Sequence, residues 1–109
     1  MIVCVPVDDS GTVDPRWGRA GRIAVATVGG DAIVGWEEVD VGWDSLHDAG
    51  GEARHHARVA RFLLDHHVDA VVADHMGGGM RRMLDTMRIT VHLGAAGDAR
   101  RAVLAALEV

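Results

Sequence analysis

The sequence predicts an α/β fold, a mixed five-stranded sheet with helices packed on it. Three observations carry this. The first 41 residues hold β-rich runs broken by glycine and aspartate, the remainder alternates short apolar runs with helical periodicity, and 109 residues with 49% hydrophobic content suffice for one modest core. A single domain over residues 1–109 is expected.

Taken in order, Ile2 to Val7 reads as a strand that stops at the turn residues Asp8-Asp9-Ser10-Gly11. Arg22 to Val28 and Ala32 to Val41 read as two strands joined by Gly29-Gly30-Asp31, a hairpin signal, so they pair antiparallel. Gly42 to Gly51, "GWDSLHDAGG", breaks periodicity and reads as a loop. From Glu52 to His67 the spacing is helical, with Ala53, Ala57, Ala60 and Leu64 on one stripe and Arg54, Arg58, Arg61 and Asp65 opposite. Asp69 to Ala73 is a short apolar strand of the kind buried on both faces of a parallel sheet. Met80, Met83, Leu84 and Met87 recur at helical spacing and define a second helix, which core packing explains. Thr90 to Leu93 is the last strand, and Asp98 is placed to cap a final helix with Ala99, Ala102, Val103, Ala106 and Leu107 on one stripe.

The order is therefore β-β-β-α-β-α-β-α. With a meander first and right-handed crossovers after it, four strands end at one edge. That edge gathers the loop after Val7, "LHDAGG", "DHMGGG", "GAAGD" and the helix N-termini. Ligands of open sheets bind outside the carboxyl ends of strands, so candidate residues are sought there.

Composition narrows the function. A formal charge of -5 argues against general nucleic-acid binding, which needs a basic face. The longest apolar runs, Ile23 to Val28 and Ala70 to Ala73, fall far short of the roughly 20 residues of a membrane helix. Met1 leads directly into a strand with no leader pattern, so no membrane partner and a cytoplasmic location are expected. The lone Cys4 excludes an intrachain disulfide or a CxxC metal site, and its place on an alternating strand reads as a buried, inert thiol. Seven His and five Met remain to be placed.

His75 and Met76 follow the buried strand at the ligand edge, and imidazole with thioether suits soft or borderline metals. The competing reading has His75 ending the strand and Met76 filling a gap under the turn. Gly77, Gly78 and Gly79 precede a helix and can present amides to an anion, or can serve a turn that needs positive φ. They lack any nucleotide signature. His47, in the glycine-bounded loop, and the pair His55 and His56 form a second cluster. Neighbouring helical His diverge by about 100°. His56 aligns with Ala53, Ala60 and Leu63 and points to the sheet edge, whereas His55 aligns with Val59 and Phe62, so one of the two is structural. A solvated loop His is the alternative for His47. His66 and His67 close a helix C-terminus, where His is expected without function, and His92 reads as a satisfied strand residue. Arg16, Arg19 and Arg22 make the one local positive cluster, fit to meet an anion, and Trp17 and Trp43 lie in loops that can close over the ligand edge.

Three segments in order, "IVCVPVD", "VDPRWGRAGRIAVATV" and "HHVDAVVADHMGGGMRRML", resemble the dinitrogenase iron-molybdenum cofactor biosynthesis family over nearly the whole chain. The resemblance implies a ribonuclease-H-like fold and a non-catalytic role in binding, carrying or scaffolding a metal-sulfur cluster, iron-sulfur or molybdenum-containing. It also implies a cluster donor or acceptor protein as partner, and the chain is expected as a monomer or homodimer. On this reading His47, His56, His75 and Met76 are the metal-ligand candidates, while Arg16, Arg19 and Gly77 to Gly79 hold the cluster's charge. The chain departs from the family's Pro-His-Phe-Gly pattern at Arg16-Trp17, and a guanidinium cannot replace a ligating imidazole because it stays protonated. Gly78 stands where a Pro is common, and His67 where the helix usually ends on glycine. Two other readings compete. A metal-dependent nuclease or phosphoryl-transfer enzyme would use Asp8 and Asp74 with Glu52, and a regulatory interaction module would have no cargo.

Overall fold

The computed structural model describes residues 1–46 and 49–108. The five strands are β1 (Ile2–Val7), β2 (Arg22–Gly29), β3 (Ala32–Asp40), β4 (Ala70–Val72) and β5 (Thr90–His92), and the helices are α1 (Trp43–Leu46), α2 (Gly51–Asp65), α3 (Gly78–Thr86) and α4 (Ala99–Leu107). The sheet order is β3-β2-β1-β4-β5. β1 pairs antiparallel with β2, which pairs antiparallel with β3, while β4 runs parallel to both β1 and β5. This is the expected meander followed by βα units, in ribonuclease-H-like order.

Strand alternation divides the interior into two cores. Val3, Val5 and Val7 of β1 join Ala24, Ala26 and Val72 beneath Ala99, Ala102 and Val103 of α4. Cys4 faces the other way, with Ile23 and Val71, beneath Val59 and Leu63 of α2 and Met80 and Leu84 of α3. The side-chain period of two along a strand makes this division, and full burial of Leu63 or Leu84 contributes about 1.5–3 kcal/mol each.

Two expectations need correction. The stripe that α2 buries is His55, Val59 and Leu63, with Phe62 partly covered, whereas Ala53, Ala57 and Leu64 are exposed. Alanine removes little apolar area from water, so the helix turns its larger side chains inward. Trp43 does not close over the ligand edge from a loop. It begins the short helix α1, is 2% exposed, and packs edge-on against Trp17 and Phe62 at centroid distances of 5.5 and 5.6 Å.

Candidate functional site

The loops at the carboxyl edge are stitched to one another by backbone. Arg16 bridges to His75 beyond β4, Thr12 bridges to Asp98 before α4, and the Val13 amide donates to Gly97 O at 2.8 Å. The Asp8 carboxylate accepts from the amides of Ser10 and Thr12 at 2.9 and 3.0 Å and so holds the first loop in its turn. Asp8 is thereby occupied in structure. Among the described residues no three His, Cys, Asp or Glu side chains converge on a metal-sized space.

Against this rim opens a cleft of about 580 Å³. Its walls are the single 3₁₀ turn at Trp17–Arg19, the first turns of α2, and the segment from His75 into α3. Arg16, Arg19, His56, His75, Met76, Gly77, Gly78 and Gly79 all line it, so the structure brings eight of the sequence candidates together. His47 lies outside the described residues. His75 is exposed, while Met76 is half-buried and also packs on the core beneath α2 and α3. His56 reaches Glu52 at 3.6 Å, and a Cβ added at Gly79 would lie 3.1 Å from the His56 ring, so Gly79 allows α3 to approach α2 at the cleft.

The glycines do not serve a positive-φ turn. Gly77 caps α3 in an extended conformation, φ -65° and ψ 154°, and none of Gly77, Gly78 and Gly79 has positive φ. A side chain at Gly77 would meet nothing within 4 Å. α3 therefore begins with no side-chain cap, and the amides of its first turn, which have no partner within the helix, border the cleft.

The positive cluster dissolves on inspection. Asp14, 5% exposed and tied by its amide to Pro6 O at 2.9 Å, takes Arg16 in a fork of two 3.1 Å bonds through Nε and Nη2. Arg22 turns to Asp40 at 2.9 Å and lies 3.6 and 3.7 Å from Asp9 and Glu38. These hydrogen bonds and charges push both guanidinium pKa values further up. Arg19 is the cleft cation that keeps its charge uncompensated among the described residues.

Of the His55 and His56 pair, one member of which the sequence reads as structural, His55 is the buried one, in line with Val59, and it holds the cleft wall in place. A guanidinium only donates, so Arg58 donates to Nδ1 at 2.9 Å and Nε2–H donates to Gly18 O at 2.7 Å. The Nε2 bond fastens the Trp17–Arg19 turn to α2, and the Nδ1 bond to Arg58 within α2 orients the ring for it. Arg58 also donates to Leu46 O and Ala49 O at 3.1 and 3.3 Å. Three lining residues had no role assigned at the ligand edge, namely Gly18, Gly51 and Met80. Cys4 is fully buried and its thiol is pushed up to about 12 by burial, so it stays protonated and takes no part. His66 stacks on Phe62 at 4.4 Å, far along α2 from the cleft.

A ribonuclease-H-like sheet with a donor-rich cleft where its carboxyl edge meets two helix N-termini defines a small α/β protein whose chemistry is gathered at one edge. The family model described as dinitrogenase iron-molybdenum cofactor matches residues 1–109, and the chain belongs to that family. Solved structures agree in fold. The protein PH0822 is 23% identical, with a TM-score of 0.76 over 97% of this chain and 88% of its own. The apo form of the orange protein from Desulfovibrio gigas is also 23% identical, with a TM-score of 0.70 over 94% and 82%. No curated protein matches the chain. Among the described residues no helix is long and apolar enough to cross a membrane.

Proposed function

We propose that this chain binds a preassembled anionic metal-sulfur cluster, iron-molybdenum in type or related, and carries or scaffolds it between a donor and an acceptor protein without catalysing a reaction. The observation that carries the reading is the convergence, in one cleft, of uncapped α3 amides, the uncompensated Arg19, two imidazoles and a thioether. Amides and a guanidinium favour an anion, and imidazole and thioether suit soft metals.

The donor set fits a finished cluster better than a bare ion. A free ion needs several converging protein ligands, and the described residues hold no such set. A cluster arrives with its metals already bound by sulfide, so one or two terminal ligands suffice, and His56, His75 and Met76 are the residues to supply them. His47 is the further candidate from the adjoining loop. Family membership and a structural neighbour described as an apo form point the same way.

The test is anaerobic purification followed by metal analysis and visible absorption, with loading by iron-sulfur and molybdenum-sulfur clusters. A bound chromophore, weakened in His75→Ala, is expected. A colourless chain that accepts none of these clusters would sink the proposal.

A further inference from the structure

Trp17 is 2% exposed and lines the cleft, yet its indole N–H is buried without a hydrogen-bond acceptor among the described residues. Buried indole N–H groups ordinarily find a partner. The contrast lies within the molecule, since Trp36, less buried, donates its own Nε1 proton to Glu38 at 3.0 Å. Loose packing does not explain the orphan. The Trp17 ring stands edge-on to the buried Trp43, 5.5 Å between centroids at 72°. Acceptors close by in the chain are already engaged, Gly18 O by His55 and the Asp14 carboxylate by Arg16.

We infer that Trp17 is a binding residue of the cleft, whose indole N–H donates to an acceptor atom, a sulfido or oxo group, on the bound anion. The inference rests on the function proposed above and deepens it. Arg19 and the α3 amides border the cleft, and the unpartnered Trp17 indole N–H lies buried in the residue beside them as a third donor. The one carboxylate lining the cleft, Glu52, is turned to His56. Such a wall selects a ligand that only accepts, a thio- or oxometallate, over a nucleotide or polyol that brings donors of its own.

The test uses tetrathiomolybdate, with molybdate and phosphate beside it, on the full chain. In a ¹⁵N-resolved spectrum the chain shows one indole signal for each of its 3 Trp, and Trp17→Phe assigns the signal of interest. On titration the Trp17 indole proton is expected to move downfield while that of Trp36 stays. Trp17→Phe, which keeps a ring against Trp43 and removes the N–H, should bind about tenfold more weakly, the effect of one hydrogen bond to a charged acceptor. The wild-type titration stands even if that variant folds poorly. A wild type that binds while its Trp17 signal stays fixed overturns this inference alone, as does a folded Trp17→Phe that binds equally well. A wild type that binds none of the anions overturns this inference, while the carrier reading stands or falls by the cluster-loading experiment.

Discussion

Helices α3 and α4 begin at the same edge of the sheet and are finished differently. At α4, Asp98 accepts from the Arg101 amide at 3.0 Å, so that terminus is closed by its own side chain. At α3, Gly77 offers no side chain, and α2 likewise starts behind Gly50 with no side-chain cap bond. The closed terminus borders no part of the cleft, and the two open ones border it. Each helix N-terminus carries roughly half a positive charge. The side-chain cap is thus missing at the two termini that border the cleft, as the proposed anion site requires.

The comparison breaks most severely if α3 is capped by a charge. Gly77 has an extended conformation that any residue adopts, and nothing lies within 4 Å of an added Cβ. Gly77→Asp should therefore fold normally, with stability within a few tenths of a kcal/mol of wild type, since Gly and Asp differ little at this position. Its carboxylate would face the bound anion, and affinity for tetrathiomolybdate should fall about 30-fold, roughly 2 kcal/mol. Gly77→Ser, which caps without charge, should lose much less. Equal losses in calorimetric titrations of the two variants would point to crowding and remove the electrostatic explanation.

The interior beneath the cleft supplies the second test, because Cys4 is the softest ligand in the chain and is placed out of reach. Its thiol pKa is raised from 9.0 to about 12 by burial. Between those values the unfolded chain gives up a proton that the folded chain keeps. Stability is thus fully present below pH 9 and falls as pH rises, by about 1.4 kcal/mol per unit. Urea midpoints at pH 8.5 and 10 should diverge in the wild type and converge in Cys4→Ala. Rapid reaction of the native thiol with Ellman's reagent at pH 8 would contradict the burial on which this rests.

Much of this arrangement is legible in the sequence, for reasons that differ by residue. The β2–β3 hairpin follows from the Gly29-Gly30-Asp31 turn and the buried parallel strand β4 from the uninterrupted apolar run at Val71, features that act locally. The gathering of Arg16, His56, His75 and the glycines follows from chain direction alone, because they sit at carboxyl ends of strands or N-termini of helices. The charge of the cleft does not. Arg16 reads as a free cation until Asp14 is found buried beside it, and that burial depends on a backbone bond to Pro6 that spacing cannot reveal. The rotation of α2 is lost for a similar reason. An alanine stripe and a His55-Val59-Leu63 stripe have the same period, and only the volume available under the helix decides between them.

A smaller effect is expected at α4. Asp98→Ala removes the cap that closes this terminus and should lower stability by about 1 kcal/mol, read from urea unfolding. Binding of tetrathiomolybdate should be unaffected, since residue 98 lies outside the cleft. A parallel loss of binding would mean that the two termini are not independent, and that the stitching through Thr12 and Asp98 transmits to the cleft.

The smallest expected effect lies at the far ends of the helices and bears on why the glycines stand where they do. After α2, His67 holds φ 55°, and after α3, Arg88 holds φ 61°. Both are left-handed positions that favour glycine. Glycine is thus absent from these two positions, where the backbone would welcome it, and present at Gly77 and Gly78, where the backbone does not require it. Conformation cannot be the reason for those two, and space at the cleft wall can. His67→Gly should accordingly raise stability by about 0.5–1 kcal/mol with binding unchanged, whereas Gly78→Leu should leave stability nearly unchanged and obstruct binding. A rise in melting temperature for the first and a loss of anion binding for the second would together separate the conformational use of glycine from its use as empty space. If Gly78→Leu binds as well as the wild type, the space beside α3 is not part of the site.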